Sequence, residues 1–192
     1  KYGTFTRFNI TSSNCSPKCP SGRTYADELI NFANWFGYYG TRMDLMKSAG
    51  GRAFAGLDEN YRVGFMTINT TSASSEFLNV TDFKTSQKNS WYDLFYSIAP
   101  GGGTPLRPAL SLTGKMYAGK ALNVKSGVNI DPVQYSCQKN FTILSTDGLW
   151  NGGSGSKLDG SAVGNEDANA TKTPRPKLDA LGASSTLADI AT

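Results

Sequence analysis

Residues Asn140–Asn151 run NFTILSTDGLWN, and no other stretch says as much about the architecture. Phe141–Leu144 is apolar with a β-branched residue inside it, and Ser145-Thr146-Asp147-Gly148 follows, so the pattern describes a buried strand that stops at a carboxylate. Strands of this kind build open α/β sheets, in which ligands and ions collect beyond the carboxyl ends of the strands. Working outward, Gly101-Gly102-Gly103-Thr104-Pro105-Leu106 reads as a second loop of the same site. The Thr104 hydroxyl and the Asp147 carboxylate are hard oxygen donors, the type that Mg²⁺ or Ca²⁺ takes while leaving a position open for an external carboxylate. The purely structural alternative is that Thr104 caps a helix and Asp147 forms an Asx-type turn with Gly148.

Composition bounds the rest. A chain of 192 residues, 39% apolar and 11% aromatic, is expected to fold as one globular domain over 1–192. Its net charge of +4 comes from 19 basic and 15 acidic residues with no basic block, which argues against nucleic-acid binding. No apolar run approaches a membrane span, and residue 1 opens no signal peptide, so the chain is either cytosolic or a mature piece of something exported. It contains no histidine. That excludes Ser-His-Asp and Cys-His catalysis, histidine-ligated zinc and a histidine general base, and it favours a non-enzyme. Asp93 and Asp131 show no partner that would make an acid–base pair.

Three cysteines leave one over. Cys15 and Cys19 lie four apart in the polar loop NCSPKCPSG and are disulfide candidates, with three reduced thiols as the alternative. C-x3-C without a second close pair is a poor zinc ligand set. Cys137 is the odd one.

Along the chain, residues 1–23 form a polar N-terminal segment with a short edge-strand run at Phe5–Ile10. Thr24-Tyr-Ala-Asp27 has capping-box spacing, and Phe32, Phe36, Tyr39, Met43, Met46, Ala49, Ala53 and Leu57 continue as one apolar helical stripe, with a break expected near Gly50. Trp35, Phe36, Tyr38 and Tyr39 are expected to pack in a core, with a carbohydrate-stacking platform as the alternative. Tyr61–Asn69 and Phe77–Phe83 read as strands, antiparallel neighbours because no helix fits between them. Ser90-Trp-Tyr-Asp93 predicts a short helix start, and Thr104-Pro105 a helix to about Ala118. Residues 119–136 read as an irregular excursion, 152–177 as a mobile loop, and Leu187–Thr192 as a helix start. Six N-x-S/T triplets occur, but Asn140 opens an inferred buried strand, which argues for chance. Gly101–Gly103 lacks the lysine or spacing of a nucleotide loop.

NFANWFGYYGTRMDLMKSA, YRVGFMTIN, GGGTPLRPAL and QKNFTILSTDGLWNG, four segments in order, resemble the N-terminal von Willebrand factor A-like domain of the PilY/PilC family, the type IV pilus tip-associated adhesins. The resemblance runs from about residue 31 to residue 192. It implies a doubly wound, mostly parallel α/β sheet flanked by helices, Rossmann-like and incomplete at both ends. It also implies an exported protein of a Gram-negative bacterium, at the pilus tip, cell surface or outer membrane, with minor pilins and a host or abiotic surface as partners. The A-type fold implies a metal-ion-dependent adhesion site, in which Thr104 is the second-loop hydroxyl and Asp147 the third-loop carboxylate. The first loop of such a site carries D-x-S-x-S, and the nearest string here, Asp159-Gly160-Ser161-Ala162-Val163, lacks the last serine. Cation binding by these residues alone is therefore expected to be weak. The expected function is adhesion through a divalent cation; the alternative is a pilus-assembly or mechanosensing element that binds no ligand itself.

Overall fold

The computed structural model describes residues 4, 6–69, 74–120, 131–146, 148–166 and 185–191. Where one domain is expected from length, the chain divides into two compact units, Lys1–Gly56 and Leu57–Thr192.

In the first unit, α1 spans Tyr25–Tyr39 and α2 spans Arg42–Ala55. Thr24 caps α1, its hydroxyl accepting from the Asp27 amide at 3.2 Å. The break in the long apolar stripe falls at Gly40-Thr41 and not at Gly50. Thr41 takes an extended conformation and forms a capping box with Asp44, which restarts the helix there. Gly50 and Gly51 lie inside α2, where Gly51 is buried. No residue of α1 is buried, and Trp35, Phe36, Tyr38 and Tyr39 are 51%, 61%, 62% and 42% exposed, against the core packing expected of them. Two helices and a loop offer them no sheet within the unit to cover. Cys15 and Cys19 are joined by a disulfide and are the most buried side chains of this unit. Thr6–Ile10 carries no strand.

The second unit is built on two antiparallel strands, β1 (Arg62–Met66) and β2 (Phe77–Asp82). Their register pairs Met66 with Phe77 and Arg62 with Asp82, with a bulge between Val63 and Phe65. Gly64 sits in that bulge because a Cβ there would lie 2.8 Å from the Leu78 carbonyl oxygen. Helix α3 (Thr85–Ser97) covers one face, beginning five residues before the expected Ser90 start. Its Trp91 stacks on Phe95 at 4.7 Å and meets Phe65 and Phe83 edge-on, the geometry aromatic pairs prefer. Gln87 of the same helix donates to the Val63 and Asn79 carbonyls at 2.8 and 2.7 Å, closing the gap that the bulge opens in the ladder.

Helix α4 (Leu106–Tyr117) buries Leu106, Ala109, Ser111 and Met116, and Met116 packs on Phe77 together with Met66 and Leu112. Of the 152–177 stretch expected to be mobile, residues 152–166 are fastened to α4. Arg107 donates to the Gly152 carbonyl, Ser156 donates its amide to Ser111 Oγ at 3.0 Å, and Lys115 reaches Ser156 Oγ at 2.6 Å. Residues 167–177 lie outside the described residues. A last short helix, α5 (Leu187–Ile190), is capped reciprocally by Thr186 and Asp189.

The expected buried strand at 140–146 takes a different form. Phe141 and Ile143 are 77% and 79% exposed, and no strand is formed, because among the described residues none lies alongside to pair with it. Tyr117 holds the segment through its hydroxyl, which donates to the Phe141 carbonyl at 2.9 Å.

Candidate functional site

Three segments of the second unit meet around Thr104. The first leaves β1 and ends at Asn69, whose side-chain amide donates to the carbonyls of Gly103 at 3.1 Å and Gly101 at 3.4 Å. The second is the glycine run itself. Gly102 holds φ +76, a conformation that a residue with a side chain rarely adopts, and a Cβ on Gly103 would stand 2.7 Å from Asn151 Oδ1. The third follows the TDG segment and supplies Asn151. Its Oδ1 accepts from the Thr104 amide at 2.7 Å, and its own amide donates to the Thr104 carbonyl at 3.0 Å. Both backbone groups of Thr104 are thus held by one asparagine.

Helix α4 differs from its expected start in a way that bears on the site. Pro105, not Thr104, is the N-cap, and no side chain caps the helix. The Thr104 hydroxyl, on a half-buried residue, makes no hydrogen bond among the described residues. Thr104 therefore does not perform the capping that the structural alternative assigned to it. Its hydroxyl remains available beside two braced loops.

Asp147, the carboxylate expected opposite Thr104, lies outside the described residues; its neighbours Thr146 and Gly148 are exposed. Among the described residues no group of three or more Cys, Asp or Glu side chains is gathered to hold a metal ion. The oxygens of these loops are of the hard type that suits Mg²⁺ or Ca²⁺, but the Asn151 side-chain oxygen and the carbonyls of Gly101, Gly103 and Thr104 already accept hydrogen bonds, which leaves the Thr104 hydroxyl. The donor type of that hydroxyl fits a hard cation. Asp159, in the string nearest to D-x-S-x-S, is spent on a local turn. It accepts from the Ser161 amide at 2.9 Å and hydroxyl at 2.6 Å, which hold its carboxyl below the ordinary aspartate value. Cys15 and Cys19 are bonded to each other in the first unit, and Cys137 is an exposed free thiol.

Sequence reasoning missed Asn69 and Asn151. The signal present is that each closes an apolar segment, YRVGFMTIN and FTILSTDGLWN, with an amide in place of a turn glycine.

The chain is 33% identical over 201 residues to the type IV pilus biogenesis factor PilY1 of Pseudomonas aeruginosa strain PAK, covering 94% of this chain and 16% of that protein. It is 32% identical over 165 residues to PilY1 of strain PAO1, covering 79% of this chain and 14% of that protein. It thus spans about one-sixth of the length of these curated relatives. No protein-family model matches the chain, and no solved structure does. With a third of the aligned residues identical over nearly its whole length, the chain resembles one portion of the PilY1 type IV pilus biogenesis factors.

Proposed function

We propose that this chain is a non-catalytic adhesion module of a type IV pilus tip protein, exported to the cell surface, which binds its ligand through a divalent cation. Its sheet would be of the von Willebrand factor A type, doubly wound and mostly parallel. The observation that carries the reading is the Thr104 hydroxyl: it caps nothing, while both backbone groups of its residue are fixed by Asn151. A bare hydroxyl on a braced loop is what a coordination site needs, since a ligand that moved freely would lose the entropy of being ordered on binding. The likeness to PilY1 biogenesis factors supports the pilus setting. Minor pilins at the tip and a host or abiotic surface are the partners that follow from it.

The test is adhesion by the protein as the cell makes it, with MgCl₂ or CaCl₂ and then with EDTA. Adhesion should be lost in EDTA, and Thr104→Ala and Asp147→Ala should abolish both adhesion and calorimetric cation binding while circular dichroism stays unchanged. Adhesion that persists in EDTA and in both variants would defeat the proposal. The relatives' description as biogenesis factors favours a second reading, an assembly or force-sensing element. On that reading pilus formation, and not surface binding, is what Asp147→Ala reduces.

A further inference from the structure

We propose that Asn69 and Asn151 are positioning residues that aim the Thr104 hydroxyl, working as a two-sided clamp on the Gly101–Thr104 loop; their link to a cation rests on the function proposed above. Three glycines in a row have no conformation of their own to hold, yet here the hydrogen bonds that tie the loop to other segments come from these two asparagines, the Leu106 amide adding a local one to the Thr104 carbonyl. The two work with opposite chemistry. Asn69 acts as a donor, its one NH₂ group serving two carbonyls. Asn151 acts through its oxygen as an acceptor and through its backbone as a donor. The glycines fit the clamp closely: a Cβ at Gly102 would stand 3.1 Å from Asn69 Nδ2 and one at Gly103 2.7 Å from Asn151 Oδ1, so larger residues would push the jaws away. The partners are 34 and 47 residues apart in sequence from the groups they hold, so local turn chemistry does not account for them. Side chains that orient a ligand without touching the metal typically change metal affinity by about 10–100-fold when removed.

Opposite chemistry gives a directional test. Asn151→Asp keeps an oxygen for the Thr104 amide, whereas Asn69→Asp sets a carboxylate against two carbonyl oxygens. In the protein as the cell makes it, hydrogen exchange at the Gly103 and Thr104 amides should quicken about tenfold or more in Asn69→Asp and Asn151→Ala. It should stay near wild type in Asn151→Asp. Calorimetric titration with MgCl₂ and CaCl₂ should show affinity falling by about 10–100-fold in the first two variants, with thermal melting unchanged. Wild-type exchange in Asn69→Asp and Asn151→Ala overturns the clamp. If those variants loosen the loop but the wild type binds neither cation, the clamp stands and the cation reading falls. If the cation binds equally to wild type and to both variants, the clamp is overturned as a positioning device and the cation reading survives.

Discussion

Gly155 holds φ +75, and a Cβ there would approach Ser111 Oγ to 2.5 Å and the Arg107 carbonyl to 3.0 Å. The backbone can lie this close to α4 only because the residue has no side chain. Gly155→Ala should therefore cost about 1–2 kcal/mol from its left-handed backbone alone. It should also push Ser156 away from the Ser111 hydroxyl that its amide needs. A fall of roughly 3–8 °C in Tm is expected, and an unchanged melt would show that the segment shifts freely. At this scale legibility depends on range. The Thr24 cap could be read because its partner is three residues away. The Asn69 and Asn151 amides could not, because no local pattern names a carbonyl on another loop. Asp147 stands out in the sequence as a carboxylate at the end of an apolar run, and it lies outside the described residues.

Among the elements, β1 and β2 were legible because each is an apolar run bounded by turn residues, and their antiparallel pairing follows from the short link between them. The break between α1 and α2 is legible too, in Thr41-Arg42-Met43-Asp44, which has the same spacing as the box at Thr24. The apparent box at Ser90–Asp93 misleads because it falls inside α3, which begins after Lys84 without any side-chain cap. Residues 140–146 are a different case. An apolar β-branched run predicts a strand, but forming one requires a neighbour, and pairing is not a property of the segment. Element packing gives a sharper expectation at Gln87, which supplies both hydrogen bonds across the bulge. Gln87→Leu keeps the volume but strands two carbonyls, so it should destabilise the second unit by about 2–3 kcal/mol. Denaturant unfolding measures this; a loss under half that size would mean that water reaches the bulge.

For the whole molecule, stability is unevenly shared. The second unit buries Phe77, Phe83, Trp91, Phe95, Leu106 and Met116, whereas in the first the buried residues among those described are Cys15, Cys19 and Gly51. Burial of apolar area is the main force opposing chain entropy. Amides of α1 and α2 should then exchange well before those of β1, β2 and α3; equal protection in native-state hydrogen exchange would refute this. In the second unit, Ser185 donates its amide to the Gly164 carbonyl at 2.7 Å, and Glu166 donates its own to Asp189 Oδ1 at 2.6 Å. Two hydrogen bonds thus tie residues 164–166 to residues 185–189. The entropic cost of tying together two stretches of chain grows only with the logarithm of their separation in sequence, about 0.6 kcal/mol per doubling. Those two bonds, and not the distance along the chain between the stretches, set how firmly they are joined.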